Sequence, residues 1–401
     1  MIKQLMWMVV MAAALGIAHA DPEFQFSGFG TLGIVHSNND KEDYASTNKP
    51  YGAGFTNQTD FTADNIAAVQ LDAKLNDTVS STLQVVSELN QEGNFRPRIE
   101  WANIKLNINK NTFLRLGRLG SPVYMVSDYR LVGYASTWVR NPVEVYNLIA
   151  FSHGEGGDIN YRQSLGQGFL ALQGGLYNAK FQVADGRFPV PNEGNLNKVK
   201  LLNMSYEQGA FTGRIMYAEG SLDFIPSRLL PLAGVLEQVG GITEVSPASF
   251  FALGATYDPG PWLVQSEYTV RRSSHGIVTP KQSAWYVMGG LRFGDLTPYA
   301  MFARCISAGS FTNDTATAME NGVLGAAYVG VGQVINQVYG AFNQSEETLS
   351  LGLRFDVMKN VALKFQFDHV MPETYGIAFQ TRNGPVNSNV NLFTAHLDFV
   401  F

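Results

Sequence analysis

The end of the chain, Phe393–Phe401 with the sequence FTAHLDFVF, shows how its apolar residues are spaced. Every second position is apolar, and the positions between them include Thr394, His396 and Asp398. Successive side chains of a β-strand point to opposite faces, so the segment predicts a strand with one apolar and one polar face. Such a strand suits a soluble sheet as well as a membrane barrel, and only its repetition along the chain separates the two.

The same alternation recurs through most of the chain, for example in Leu349–Phe355 and Val361–Phe367, which flank the tight turn Met358–Asn360. Tight turns alternate with longer connections, which run over His36–Thr62, Asn90–Pro97, Leu119–Ala150, Gln182–Asn197, Gly220–Ser246, Ser273–Pro280, Ser307–Glu346 and Met371–Asn389. Bacterial outer-membrane barrels have short turns at one end and long loops at the other. The pattern therefore predicts an all-β fold, a transmembrane antiparallel β-barrel of sixteen strands. A further hairpin, Leu324–Val331 with Val334–Phe342, would make eighteen.

The composition agrees with many strands joined by turns, because the chain has 40 Gly, 26 Phe and 17 Tyr and only 15% charged residues. The formal net charge of −6 argues against a nucleic-acid partner. A single cysteine, Cys305, excludes an internal disulfide framework, and its parity with Tyr299 and Met301 predicts an inert thiol that faces lipid or a subunit interface. No apolar run of the roughly 18 residues that a transmembrane helix needs follows Ala20, so helical membrane spans are excluded.

Residues 1–20 predict a secretory signal peptide ahead of a barrel domain over residues 21–401. Lys3 precedes an apolar run from Leu5 to Leu15, and Ala18-His19-Ala20 matches an A-x-A cleavage pattern. The run has about half of the roughly 20 apolar residues that span a bilayer, which argues against a membrane anchor. Together with the barrel pattern, a cleaved signal peptide predicts that the protein resides in the cell outer membrane.

The connection 119–150 mixes charged and aromatic residues without any period. In a closed barrel, a segment between two wall strands can fold inward and narrow the bore, so this third external loop is predicted to be a constriction loop. The predicted lining residues come from the loop and from the two strands that lead into it: Lys105, Arg115, Arg118, Tyr124, Asp128, Tyr129, Arg130, Arg140 and Glu144. By the same alternation, further inward candidates are Gln84, Arg162, Arg214, Glu267, Arg304 and Arg354.

These charges allow two interpretations. Basic wall residues such as Arg115 could face the loop carboxylates Asp128 and Glu144 across the narrowest point, which would create a transverse electric field. Alternatively, the charges pair with each other and hold the loop against the wall, since buried polar groups need partners in either case. Neither interpretation requires a catalytic group, a cofactor or a metal.

Over nearly its whole mature length the chain resembles the Gram-negative general porins. The resemblance is carried by the opening strand Phe24–Phe29, the terminal Phe401 and the long third external loop. Within that loop, Ser127-Asp128-Tyr129 and Trp138–Tyr146 are similar to the constriction loop of one group of proteobacterial porins. The Pro-Glu-Phe-Gly-Gly motif of enterobacterial porins is missing, so the residue roles of those porins are not carried over.

The resemblance implies a homotrimer whose water-filled channels let ions and small hydrophilic solutes diffuse passively across the outer membrane. It implies contact with outer-membrane lipids and lipopolysaccharide, and it implies that Phe401 is the signal read by the barrel-assembly machinery. It implies no cofactor. The sequence leaves the choice between cations and anions and the preferred solute open, because the local field at the constriction decides them.

Two other classes of function compete with a general porin. The apolar loop segments 224–242 and 324–339 suggest a substrate-specific outer-membrane channel, although packing among loops at the rim explains them as well. An outer-membrane barrel enzyme, a lipase or protease, would need a Ser-His pair assembled in space. The chain contains neither G-x-S-x-G nor H-E-x-x-H, and its histidines lack metal-ligand spacing, so the sequence favours a protein that is not an enzyme.

Overall fold

The computed structural model describes residues 22–46, 48–184, 191–224, 245–273, 281–308, 314–341, 343–373, 375–380, 386 and 388–401. The signal-peptide prediction, residues 1–20, lies outside them. Sixteen long strands form one antiparallel sheet. They are β1 (Glu23–Ser37), β2 (Ile66–Lys74), β3 (Val79–Glu88), β4 (Arg98–Asn107), β5 (Thr112–Gly120), β6 (His153–Leu165), β7 (Gly168–Val183), β8 (Asn192–Gln208), β9 (Phe211–Phe224), β10 (Val245–Tyr257), β11 (Trp262–Ser273), β12 (Lys281–Leu291), β13 (Leu296–Ala308), β14 (Glu346–Met358), β15 (Val361–Pro372) and β16 (Val390–Val400).

The sheet closes on itself because β1 has a neighbour on each side. It pairs with β2 through partners such as Phe26 and Leu71, and with β16 through partners such as Phe29 and Val400. Every other strand pairs with the strands before and after it in the chain. A closed sheet leaves no row of unpaired backbone groups, which is a condition for crossing a bilayer with strands. The predicted sixteen-strand barrel is confirmed.

The strands are joined alternately by tight turns and by long segments. At the tight end, Gly166 and Gly209 have φ values of 61° and 57°, a backbone conformation that glycine adopts without a steric penalty. The long segments contain short strands at 43–44, 59–60 and 379–380 and the few helices of the fold. The long segments therefore mark the external end of the barrel, as the turn pattern predicts.

The alternative of eighteen strands is wrong. The described residues 324–341 do not form a hairpin; they include the helix α3 (Val329–Ala341), which follows the shorter helix α2 (Asp314–Glu320). The reason lies in the flanking strands, since β13 and β14 already pair with each other, as Cys305 and Glu346 show. An extra hairpin has no place between them, so the segment satisfies its backbone within helices. None of the described helices is long and apolar enough to cross a membrane.

The two faces of the barrel differ from the simple expectation at one part of the wall. Outward residues such as Leu202 and Phe393 are exposed and apolar, as a lipid-facing surface requires. On β13, however, the apolar residues Cys305 and Tyr299 point inward and are buried, while Arg304 points outward and pairs with Glu347 at 3.0 Å. The predictions that Cys305 faces lipid or an interface and that Arg304 faces the bore are therefore wrong. The parity was misassigned because the inner face of β13 is apolar.

Candidate functional site

The third external loop, residues 121–152 and hereafter loop 3, lies against the inner wall of the barrel. It includes one turn of helix, α1 (Val143–Tyr146), and several of its large side chains are buried among wall residues. Trp138 packs edge-on against Tyr286 of β12 with ring centroids 5.6 Å apart, and Tyr124 packs edge-on against Phe250 of β10 at 5.5 Å. Many of the apolar residues of β7–β13 that point inward form one buried cluster with this loop, which explains their composition.

Charged wall residues bind the first half of loop 3 through its backbone. Arg214 of β9 donates to the carbonyl oxygens of Pro122, at 2.5 Å, and of Tyr124. Glu267 of β11 accepts from the backbone N–H of Met125 at 2.9 Å and from the hydroxyl of Tyr146 at 3.1 Å. These polar contacts satisfy buried loop groups that would otherwise lack partners.

The middle of loop 3 is held from the other side of the barrel. Arg354 of β14 donates to the carbonyl oxygens of Tyr134 and Ser136, at 2.7 and 2.8 Å. Lys364 of β15 donates to Trp138 O at 3.0 Å and pairs with Asp398 of β16 at 2.8 Å. Because strands as far apart as β9 and β16 surround the loop, it lies inside the barrel and not on its rim.

Arg140 connects loop 3 to both the wall and an external loop. Its guanidinium lies 2.7 Å from Asp64, 3.0 Å from Asp368 of β15 and 2.8 Å from the Thr394 hydroxyl of β16. Burial alone would raise the pKa of Asp64, but Arg140 and the His396 ring hold that pKa well below its usual range. Arg140 therefore acts as a pin, which is what the second interpretation of the loop charges predicts.

Two predicted lining residues do not reach the bore. Tyr124 has 0% of its surface exposed, because its ring fills the space between loop 3 and β10. Glu144 is also buried, at 1% exposure, near the like-charged Glu346 of β14. Burial raises the pKa of Glu144 to about 7. The predicted electric field between Arg115 and Glu144 is therefore wrong. The directions of Tyr124 and Glu144 were mispredicted because loop residues show no periodic pattern from which to infer them.

The remaining predicted residues are more open. Arg115 forms a two-point contact with Asp158 of β6, at 2.7 and 3.0 Å, and Lys105 lies 4.2 Å from the Phe113 ring centroid. Arg118 pairs with Glu155 and donates to Ile99 O at 2.8 Å. Lys105 and Arg115 share the inner face with Asp158. Arg118 lies on the opposite face of β5, beside the exposed Glu155, so the prediction that it lines the bore is wrong.

On the loop side, Arg130 is half-buried and donates to Phe151 O at 3.4 Å. Asp128 and Tyr129 are exposed at a short 3-10 helix, and the Asp128 carboxylate attracts the guanidinium groups of Arg115 and Arg214. Asp128 is thus an exposed acid of loop 3, in contrast to the buried Glu144.

Sequence reasoning missed several residues that hold the loop. Lys364 and Asp398 carry a readable signal, because both occupy polar positions of alternating strands. Asp64 carries none, since it lies in an external loop and meets Arg140 only through the fold. Among the described residues, no cluster of His, Cys, Asp or Glu side chains has the arrangement of a metal site.

Comparison with known families identifies the family of this barrel. The sequence pattern of the family described as Gram-negative porin matches residues 8–373. The chain belongs to this porin family. It is accordingly an outer-membrane channel for small solutes, and the family points to a channel rather than an enzyme. A search among curated proteins finds no match.

Solved porin structures share the fold at low sequence identity. The anion-selective porin from Comamonas acidovorans has a TM-score of 0.55 at 12% identity, over 95% of this chain and 100% of that chain. The outer-membrane channel DcaP of Acinetobacter baumannii has a TM-score of 0.56 at 10% identity, over 96% and 99% of the two chains. The trimer form of OmpT, an outer-membrane protein of Vibrio cholerae, has a TM-score of 0.53 at 10% identity, over 95% and 100%.

Proposed function

We propose that this porin is a homotrimer in which each barrel is a water-filled channel for passive diffusion of ions and small hydrophilic solutes. The trimeric form of a similar barrel supports the assembly. We further propose that the channel has no catalytic activity, that outer-membrane lipids and lipopolysaccharide surround it, and that Phe401 serves as its assembly signal.

The constriction, in this proposal, lies between loop 3 and the wall strands β4, β5 and β9. Loop 3 contributes Asp128, Tyr129 and Arg130, and the wall contributes Lys105, Arg115 and Arg214. This assignment of the constriction rests on one observation, namely that different residues of loop 3 have different roles. Arg140 holds the loop in place through buried ion pairs, whereas Asp128 stays exposed and its charge favours the guanidinium of Arg115. The field hypothesis therefore survives with Asp128, and not Glu144, as the loop acid.

Planar-bilayer recordings of the refolded protein test the proposal. Wild type should open in near-equal groups of three, without saturation by KCl, and Arg115→Ala should shift the reversal potential in a salt gradient toward cations. Asp128→Asn should shift it toward anions, because each change removes one charge from opposite sides of the same passage. Arg304→Gln, which alters an outward ion pair, is the matched control. Unchanged selectivity in both variants would refute the constriction as assigned.

A further inference from the structure

A cavity of about 300 Å³ opens on the external side of loop 3. Its wall is the external half of β7, β8, β9 and β10 together with loop residues 147–151. Its volume is at the lower end of the range for small-molecule sites. External-loop residues such as Ile377 and Phe379 also line it, so the cavity lies toward the external end of the barrel.

The described lining of this cavity, hereafter the vestibule, is mostly apolar. Phe181 of β7 stacks on Phe151 and on Phe224 of β9, with ring centroids 6.4 and 5.6 Å apart. Leu196 and Leu222 continue the same surface. The interior of a water-filled barrel is expected to be polar, since its inward residues face solvent. Phe181 and Phe224 remain partly exposed beside loop 3, so the described residues cover this apolar surface only in part.

One cation lines the vestibule among the described residues, Arg271 of β11. Its guanidinium donates to Leu148 O at 2.8 Å and to the Gln282 side chain, while its Nε is buried and has no hydrogen-bond partner in the described part of the chain. No carboxylate of the described residues forms an ion pair with it. The lining acid Glu219 pairs instead with Lys200 on the outer surface, at 3.4 Å.

Arg271 is half-buried, lies beside an apolar surface and has no anionic partner among the described residues, which suits it to one kind of ligand. Guanidinium groups bind carboxylates strongly because the donors form a planar fork and the bonds are charge-assisted. Aromatic rings supply contact area for an apolar body. We propose that the vestibule binds amphipathic carboxylates, with the apolar body against Phe181 and Phe224 and the carboxylate at Arg271. This inference rests on the proposed channel function and adds a substrate class to it.

The test uses 4-phenylbutyrate as the probe, with 4-phenylbutyramide and acetate as comparators that lack the charge or the apolar body. Isothermal titration on the full, detergent-solubilised protein measures binding, and bilayer recordings measure block of the KCl current. We expect saturable binding of 4-phenylbutyrate alone. Arg271→Gln and the double variant Phe181→Ala/Phe224→Ala should each weaken it about tenfold or more, as the loss of a charge-assisted bond or of two ring contacts would do.

Leu202→Ala and Arg304→Gln change the outer surface in the same chemical way and should leave binding unchanged. If Arg271→Gln fails to fold, Arg271→Lys retains the charge, loses the fork and should weaken binding less than tenfold. Equal binding of the amide or of acetate, or no binding to a protein that conducts KCl, would overturn the inference while leaving the channel function intact. A folded barrel that binds the probe but never conducts would support the site and refute the channel.

Discussion

The inner wall of this porin has two parts that obey different rules. Along β2–β6, hereafter the polar wall, inward residues hydrogen-bond to neighbours on the wall, as Gln84 does to Gln70 and Arg115 to Asp158. Along β7–β13, hereafter the apolar wall, inward residues such as Phe250 and Met288 are buried under loop 3. The difference shows that the alternation of apolar and polar residues in a porin strand depends on what each face contacts, which can be lipid, water or a loop. It does not simply separate the inner face of the barrel from the outer one.

The largest loss of stability is expected where loop 3 is attached to strands outside the apolar wall. Arg140→Ala should leave Asp64 and Asp368 buried without their cation, at a cost of about 3–5 kcal/mol, because an uncompensated buried charge is expensive. Thermal unfolding in detergent and proteolysis of loop 3 measure it. Arg304→Ala, at an exposed pair, should cost under about 1 kcal/mol. Equal losses of stability in the two variants would show that Arg140 does not hold loop 3 against the wall.

The packing of the loop on the apolar wall is tested by Trp138→Ala. The side chain is 2% exposed and touches Tyr286, so its removal should cost about 3 kcal/mol through lost contacts and the cavity left behind. A loosened loop should also raise the noise of single-channel currents. Leu202→Ala, on the lipid side, is the control for a change of similar chemistry outside the bore. Quiet channels of wild-type stability would contradict the assigned packing.

A buried acid between loop and wall makes the attachment depend on pH. The pKa of Glu144 is raised from 4.5 to about 7, so the folded state holds this proton more tightly than the unfolded chain does. The stability of the loop should therefore be highest below pH ~4.5 and fall as the pH rises toward ~7. Glu144→Gln should remove this dependence, and melting curves at pH 5 and pH 8 should then coincide more closely than in wild type. A larger pH difference in the variant would contradict the assignment.

The smallest change in stability is expected where the loop faces the polar wall. Asp128 is exposed and makes no buried ion pair with the described residues, so Asp128→Asn should alter the free energy of unfolding by under about 0.5 kcal/mol. Its effect should be confined to ion selectivity. A stability loss as large as that of Trp138→Ala would mean that Asp128 holds the loop instead of shaping its field.

Sequence reasoning reached the barrel but not all of its site. Strand number and turn placement were readable because side chains such as Leu397 and Asp398 alternate wherever one face meets lipid. Cys305 was misassigned since a face that packs on a loop is as apolar as one that packs on lipid. Tyr124 and Glu144 were misassigned because an aperiodic loop carries no record of direction. The sequence pattern thus shows whether a strand face is polar or apolar, whereas the fold determines which surface that face contacts.

The seam between β1 and β16 joins residues from opposite ends of the chain, as the pairing of Phe29 with Val400 shows. No closed barrel can exist until the last strand has been made, and the contacts of this seam have the longest sequence separation in the protein. Loop 3 touches both strands of the seam, since Gly133 lies beside Thr31 and Asp398. Its final seating therefore belongs to the same late step as closure. A chain that lacks its final strand would present two open sheet edges and a loop without its full set of contacts. Such a chain is prone to aggregate, so protection from aggregation depends on completion of the last strand.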